Sequence, residues 1–353
     1  MDTCEAVRFY VDKMLDTGDN NGMKVLLFDD ETLKIMGLVY SRHEILGKGV
    51  FLHDYLRSGT RKKMPFLMGI VFVRPTRENL ELLKKELAVP KYRKYRIYFT
   101  NAITDGELQD LAAADQHEVV EAVQEFYGDF YAVDPHLFSL NLPRSLALTV
   151  ADNSASRLDL HERSVRGVVA AFLALKLAPT IRYTHGSTTS REFATAVQDL
   201  VTVESRKKDN IFHARPTALL LVLDRKDDPV TPLLTQWHYQ AMVHELLGID
   251  LNRVDLSKVP DVKLDEKEVV LAQTEDAFFK QHIFANFGDL GQAVKRFVTN
   301  FQQKHQTAKD LKPSGSSVED IQKIVENFPE LKKNSNDVRR GCALGVCRIS
   351  SVC

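Results

Sequence analysis

Three carboxylates, Asp224, Asp227 and Asp228, crowd around Arg225 and Lys226 at the end of the apolar run LLLVL (Leu219–Leu223). At the C-terminal end of a strand such residues can hold a divalent cation or face a phosphate. Hard cations take carboxylate oxygens, and open α/β sheets bind ligands along that edge. A Mg²⁺-dependent phosphotransfer or hydrolase centre on Asp224 and Asp228 is therefore one reading. The other is structural. Asp227 and Asp228 precede Pro229, a common turn composition, and Arg225 can neutralise one or two of the acids by bidentate pairing. Thr231-Pro232 then reads as the N-cap and first position of a helix running through TPLLTQWHYQAMVHELLG to Gly248.

No second half of an active site accompanies this corner. GKG (Gly47–Gly49) lacks the third glycine of a dinucleotide fingerprint, since position 52 is Leu, and no G-x-x-x-x-G-K-[ST] occurs. His244-Glu245 begins like a zinc protease motif, but position 248 is Gly, so His238 and His244 read as residues decorating a helix. Cys342, Cys347 and Cys353 have no metal-ligand spacing, and the terminal SSVC is not a prenylation box. The sequence calls for no cofactor, and its net charge of −1 gives no overall field for nucleic acid or anionic lipid.

The chain has 353 residues, 44% of them hydrophobic, enough for two or three packed domains. Cys4 is the only cysteine before position 342, which points to a reducing compartment without disulfide support. MDTCEAVRFYVDKML lacks the basic start and continuous apolar core of a signal peptide, and no apolar run reaches the ~20 residues of a membrane helix. The expected setting is cytosolic or peripheral to a membrane.

Residues 1–133 alternate strand and helix. The runs MKVLLFD (Met23–Asp29), VFLHD (Val50–Asp54), FLMGIVFV (Phe66–Val73), RIYFT (Arg96–Thr100) and DFYAV (Asp129–Val133) are short and apolar, as buried strands are. Thr76 opens a helix with Leu80, Leu83 and Leu87 on one face, and Thr104 with Glu107 forms a capping box opening another. The pattern predicts a parallel sheet with flanking helices. Residues 134–231 repeat the theme with helices at His161–Leu177 and Ser190–Val203 and only two strands, Ile181–Tyr183 and Ala218–Asp224, an incomplete α/β domain. Residues 232–335 are mainly helical. Leu290, Val294, Phe297, Val298 and Phe301 share one helical face, and Ser316 with Glu319 caps a helix striped by Val318, Ile321, Ile324, Val325, Phe328 and Leu331, so the two form a helical hairpin. Residues 336–353 have no period.

Several stretches resemble the Sec/Munc (SM) family of SNARE regulators, in its endosomal and trans-Golgi branch. They are MKVLLFDDETLKIMGLVYSRHEIL, RPTRENLELLKKELAVPKY, Glu118–Leu142, and above all LLLVLDRKDDPVTPLLTQWHYQAMVHELLGIDLNRVDLSKVP. The resemblance implies no catalysis at the opening corner and makes Asp224, Arg225 and Asp228 a polar lock at a domain junction. It implies an arch of three domains whose cavity embraces a syntaxin-like Qa SNARE and whose hairpin meets assembled SNARE helices. The expected protein is a monomer on endosome and trans-Golgi membranes, attached only through SNAREs, that promotes SNARE complex assembly. The outer face of the first domain is expected to take a SNARE N-terminal peptide at Leu108, Val120, Val123 and Glu125, with Leu108 on the helix opened by Thr104 and the two valines sharing a face of the next helix. Family members are longer, and the tail after about residue 335 matches nothing in them, as in a truncated isoform or an altered reading frame.

Overall fold

A computed structural model describes residues 2–16, 23–143, 155–207, 212, 217–257, 267–286, 288–296 and 299–300. Five parallel strands form the first sheet: Lys24–Phe28 (β1), Val50–Tyr55 (β2), Met64–Val73 (β3), Tyr92–Phe99 (β4) and Val120–Glu125 (β5), in the order β2-β1-β3-β4-β5. Every residue of β1 is buried, as its unbroken KVLLF requires of a central strand covered on both faces. The helices are Thr3–Leu15 (α1), Asp30–Val39 (α2), Arg42–Gly47 (α3), Arg77–Ala88 (α4) and Asp105–Ala114 (α5). Capping boxes at Asp2/Glu5, Asp29/Thr32, Ser41/Glu44 and Thr104/Glu107 open four of them, each pairing backbone N–H groups that the first turn leaves free. Thr76 caps α4 through the Asn79 N–H, and Leu80, Leu83 and Leu87 bury against Val71, Val73, Tyr95 and Ile97.

The expected fifth strand was misplaced. DFYAV becomes Tyr131–Asp134 (β6), which pairs antiparallel with Leu137–Ser139 (β7) in a separate hairpin. The fifth strand of the sheet is instead β5, a stretch expected to be helical. Its valines are stiff at the β-carbon and fit a pleated, half-buried surface, and pairing with β4 decides the outcome.

Next come Ala155–Leu175 (α6), Ala178–Tyr183 (β8), Thr188–Ser205 (α7) and Thr217–Val222 (β9). β8 and β9 form a parallel pair, and α6 and α7 pack together. Leu219, Leu221 and Leu223 alternate on an exposed side of this pair. The chain divides into two compact units, residues 1–228 and 229–353.

The second unit contains Tyr239–Leu247 (α8), Arg253–Asp255 (β10), Glu268–Val270 (β11) and Ala277–His282 (α9), around a core of Tyr239, Val243, Val254, Leu256, Val269, Phe278, Phe279, Ile283 and Leu290. The helix expected from Thr231 begins only at Tyr239. Thr231–Leu233 is a single 3-10 turn without a side-chain cap, and Leu234 then returns to extended backbone. Gly248 ends α8 as expected, at φ +82°. Phe297, Val298, Phe301 and the Val318–Leu331 stripe, hence the hairpin, lie outside the described residues, as does the tail.

Candidate functional site

The carboxylate corner is open rather than enclosed. The Asp224 carboxylate accepts the Ser187 hydroxyl at 2.6 Å and the Lys226 N–H at 3.0 Å, so it caps the 3-10 turn Arg225–Asp227 and ties it to the start of α7, where Ser187 is itself the N-cap. These bonds, Ser187 foremost, hold its carboxyl below the usual aspartate range. Arg225 meets Asp228 at 3.5 Å with both side chains more than half exposed (67% and 52%). The expected lock of Asp224, Arg225 and Asp228 thus consists of a cap and a solvated ion pair. The stretch Asp224–Leu234 has no helical start that would bury it. Among the described residues, no group of three His, Cys, Asp or Glu is arranged to hold a metal.

Chemistry of the enclosed kind lies elsewhere, at the C-terminal edge of the sheet. Strand order reverses between β1 and β3, the place where an open α/β sheet leaves a ligand crevice. Here Asp29 fills it. One carboxylate oxygen accepts the Glu31 and Thr32 N–H groups at 3.0 and 2.7 Å and the Thr32 hydroxyl at 2.9 Å. The other accepts the Arg74 N–H at 2.8 Å and the Asn79 amide at 2.7 Å. Beside it Asp129, 4% exposed, lies between Arg74 (3.2 Å) and Arg163 of α6 (3.1 Å). Asn101 donates to the same carboxylate at 3.1 Å, and Arg163 also donates to the Asp129 carbonyl. Burial pushes the Asp129 carboxyl up, and Arg163, Arg74 and Asn101 pull it back. This network escaped the sequence reading. Its one signal is that Asp29, Arg74 and Asn101 each follow closely on the end of a strand.

The outer face is built from α5 and β5. Leu108 sits one turn into α5 and is 39% exposed, while Leu111 on the same helix is buried. Val120 and Val123 stand on the strand, not on a helix, and still share a face. Val120 pairs with Tyr95 and Ala122 with Arg96, so β5 carries one extra residue there, and Val123 comes opposite Ile97. Tyr95 and Ile97 are two apart on a buried face, against which both valines pack half-buried. The Glu125 carboxylate accepts the Ile103 N–H at 2.9 Å and the Tyr127 hydroxyl at 2.8 Å, with the Lys207 ammonium at 3.9 Å. Desolvation, with Glu125 beside it, raises the Tyr127 hydroxyl pKa well above its ordinary value. Because Ile103 immediately precedes the Thr104 cap, the Glu125 bond holds the first turn of α5, with Leu108, to the end of β5. Asp115 fixes the other end, accepting the Val119 and Val120 N–H groups at 3.0 and 2.9 Å. A partly exposed leucine, two half-buried valines, a carboxylate with acceptor capacity left and a strand at the edge of the sheet can receive a short apolar peptide with a basic residue.

The Sec1 family profile matches residues 24–340. The chain belongs to the Sec1 family. It is 43% identical over 345 residues to human vacuolar protein sorting-associated protein 45, and 41% identical to the Dictyostelium discoideum protein of that name. These alignments cover 96% and 98% of the chain but only 58% and 59% of the relatives, so the chain spans about three fifths of their length. The structure of the SM protein Vps45 in complex with the Qa SNARE Tlg2 superimposes with a TM-score of 0.87 at 38% identity, over 98% of this chain and 62% of that one. The Unc18–syntaxin 1 complex of Monosiga brevicollis, 22% identical at a TM-score of 0.78, shows the same fold. In this Sec1-family chain no helix among the described residues is long and apolar enough to cross a membrane.

Proposed function

We propose that this chain is a SNARE-binding regulator of vesicle docking and fusion in endosome and trans-Golgi transport, and that it takes the N-terminal peptide of a syntaxin-like Qa SNARE on Leu108, Val120, Val123 and Glu125. The observation that carries the reading is the match, over nearly the whole chain, to a Vps45 structure that holds a Qa SNARE. The outer face supports it locally: Leu108 is exposed without a structural reason to be apolar, and Glu125 retains acceptor capacity beside it. The non-catalytic reading draws on the corner, whose Asp224 is committed to Ser187 and Lys226 and whose Arg225 and Asp228 stand in water.

The test is titration of syntaxin N-terminal peptides against the parent chain and Leu108→Arg, with thermal melts alongside. A side chain already 39% exposed can carry an arginine with its head in water, so the fold survives while peptide affinity falls at least about tenfold. Intact affinity in the variant refutes the assignment. So does a collapsed melting temperature, which would make Leu108 core.

A further inference from the structure

Where the strands of the first sheet begin, two phenylalanines are pushed into water. Phe51, 59% exposed, is the extra residue where β2 slips against β1: Lys24 pairs with Val50 and Val25 with Leu52. Phe66, 74% exposed, lies in a larger irregularity, where Met64 pairs with Tyr92 and Met68 with Lys94, so that Pro65, Phe66 and Leu67 oppose Arg93 alone. Pro65 has no N–H to give a ladder and suits such a bulge. Because Lys24 pairs with both Val50 and Met68, the two irregularities flank β1, roughly 10 Å apart at the usual strand spacing. Met23, 58% exposed, leads into the strand between them.

Cations surround these rings. Lys62, Lys63, Arg93 and Lys94 are exposed. Two acids at this end are engaged, Glu86 by Arg61 at 2.9 Å and Glu121 by Arg96 at 2.6 Å, leaving Lys94 only a 3.9 Å approach to Glu121, and Glu118 is exposed just before β5. The chain as a whole carries −1, so the positive field is local.

We propose that this end of the sheet is a membrane-surface contact, with Phe66 and Phe51 entering the headgroup layer of an anionic bilayer and Lys62, Lys63, Arg93 and Lys94 facing its lipid phosphates and carboxylates. Single rings raised on bulges present a convex surface, which a soft interface accommodates better than a rigid partner without a matching pocket. Long basic side chains beside them reach the charged layer while their stems stay against apolar surface. This contact belongs to the chain itself and needs no SNARE.

Co-sedimentation of the full chain with SNARE-free phosphatidylcholine vesicles, with and without phosphatidylserine, tests it. Binding should require phosphatidylserine and weaken with salt. Lys62→Glu together with Lys63→Glu should lower partitioning at least about twenty-five-fold, at roughly fivefold for each cation lost. Phe66→Ser should lower it about tenfold. Phe284→Ser, at a comparably exposed ring in the second unit (75%), should leave binding unchanged. All four side chains are exposed, so thermal melts should match the parent. No sedimentation with either vesicle, equal binding to neutral lipid, or retained binding in the Lys62/Lys63 and Phe66 variants overturns the proposal. An equal loss in Phe284→Ser does so too. Loss of syntaxin binding in the Lys62/Lys63 variant with vesicle binding intact would assign the patch to an acidic protein segment instead.

Discussion

Asp129→Asn should be the most damaging single-atom change in the first unit. The side chain keeps its shape, but its charge is removed from between Arg74 and Arg163, which are 21% and 12% exposed. The new amide nitrogen would face one of the two guanidinium groups donor to donor. Stranding a largely buried charge by deleting its partner costs about 3–5 kcal/mol. For a folding unit of this size that is a fall in melting temperature of about 6–20 °C. Asp228→Asn provides the contrast, since its pair with Arg225 is solvated and such pairs contribute about 1 kcal/mol or less. Circular dichroism melts of the two variants, and of Asp129→Asn combined with Arg163→Met, read the difference. The double variant should recover part of the loss, because the orphaned cation goes with it. An Asp129→Asn melt within about 2 °C of the parent, or a fall as large in Asp228→Asn, refutes the reasoning.

Asp224→Ala removes the cap of the 3-10 turn and should cost about 1 kcal/mol in chemical denaturation. Its folded carboxyl lies below the ordinary value, so the contribution is present above about pH 4 and fades as pH falls through the lowered pKa; the gap between parent and variant should close there. A gap that widens in acid contradicts the sign. Gly248→Ala meets no steric contact yet needs φ near +82°, so a loss of about 1–2 kcal/mol from strain alone is expected in melts of the second unit. Leu83→Ala, in a fully buried position, should cost about 2–5 kcal/mol, and a smaller loss would mean that α4 collapses onto the cavity.

Much of the first sheet was legible. Four of its strands are short apolar runs, and the Thr76 and Thr104 caps sit where the sequence puts them, because capping is a local contest between a side chain and the nearest N–H groups. β5 was not legible. EVVEAVQE interrupts its apolar residues with acids and has a helix-like three-residue spacing from Val120 to Val123, and only the extra residue opposite β4 turns that spacing into a single strand face. The outer-face residues came from family resemblance rather than from a pattern in the sequence, and the element expected beneath Val120 and Val123, a helix, is a strand. The Asp224–Asp228 corner shows a different limit. Its charge density drew attention, yet sequence cannot show exposure. Asp129, read in the sequence as the first residue of the strand run DFYAV, is buried with Arg163 reaching it from 34 positions away.

The grip of Arg163 on Asp129 bears on where the chain can be cut. Asn101 also donates to the Arg166 carbonyl, Lys176 lies over the ring of Phe9, and Thr3 donates to the Asp134 carbonyl. Helix α6 is thus tied to the C-terminal edge of the sheet and to α1, and α1 to the β6–β7 hairpin. A fragment ending at Val133 would keep every strand of the sheet and lose one of the two guanidinium groups that Asp129 needs. A fragment carried through Lys176 retains the whole ion cluster and the Phe9 contact, which makes it the more sensible minimal domain for peptide screening.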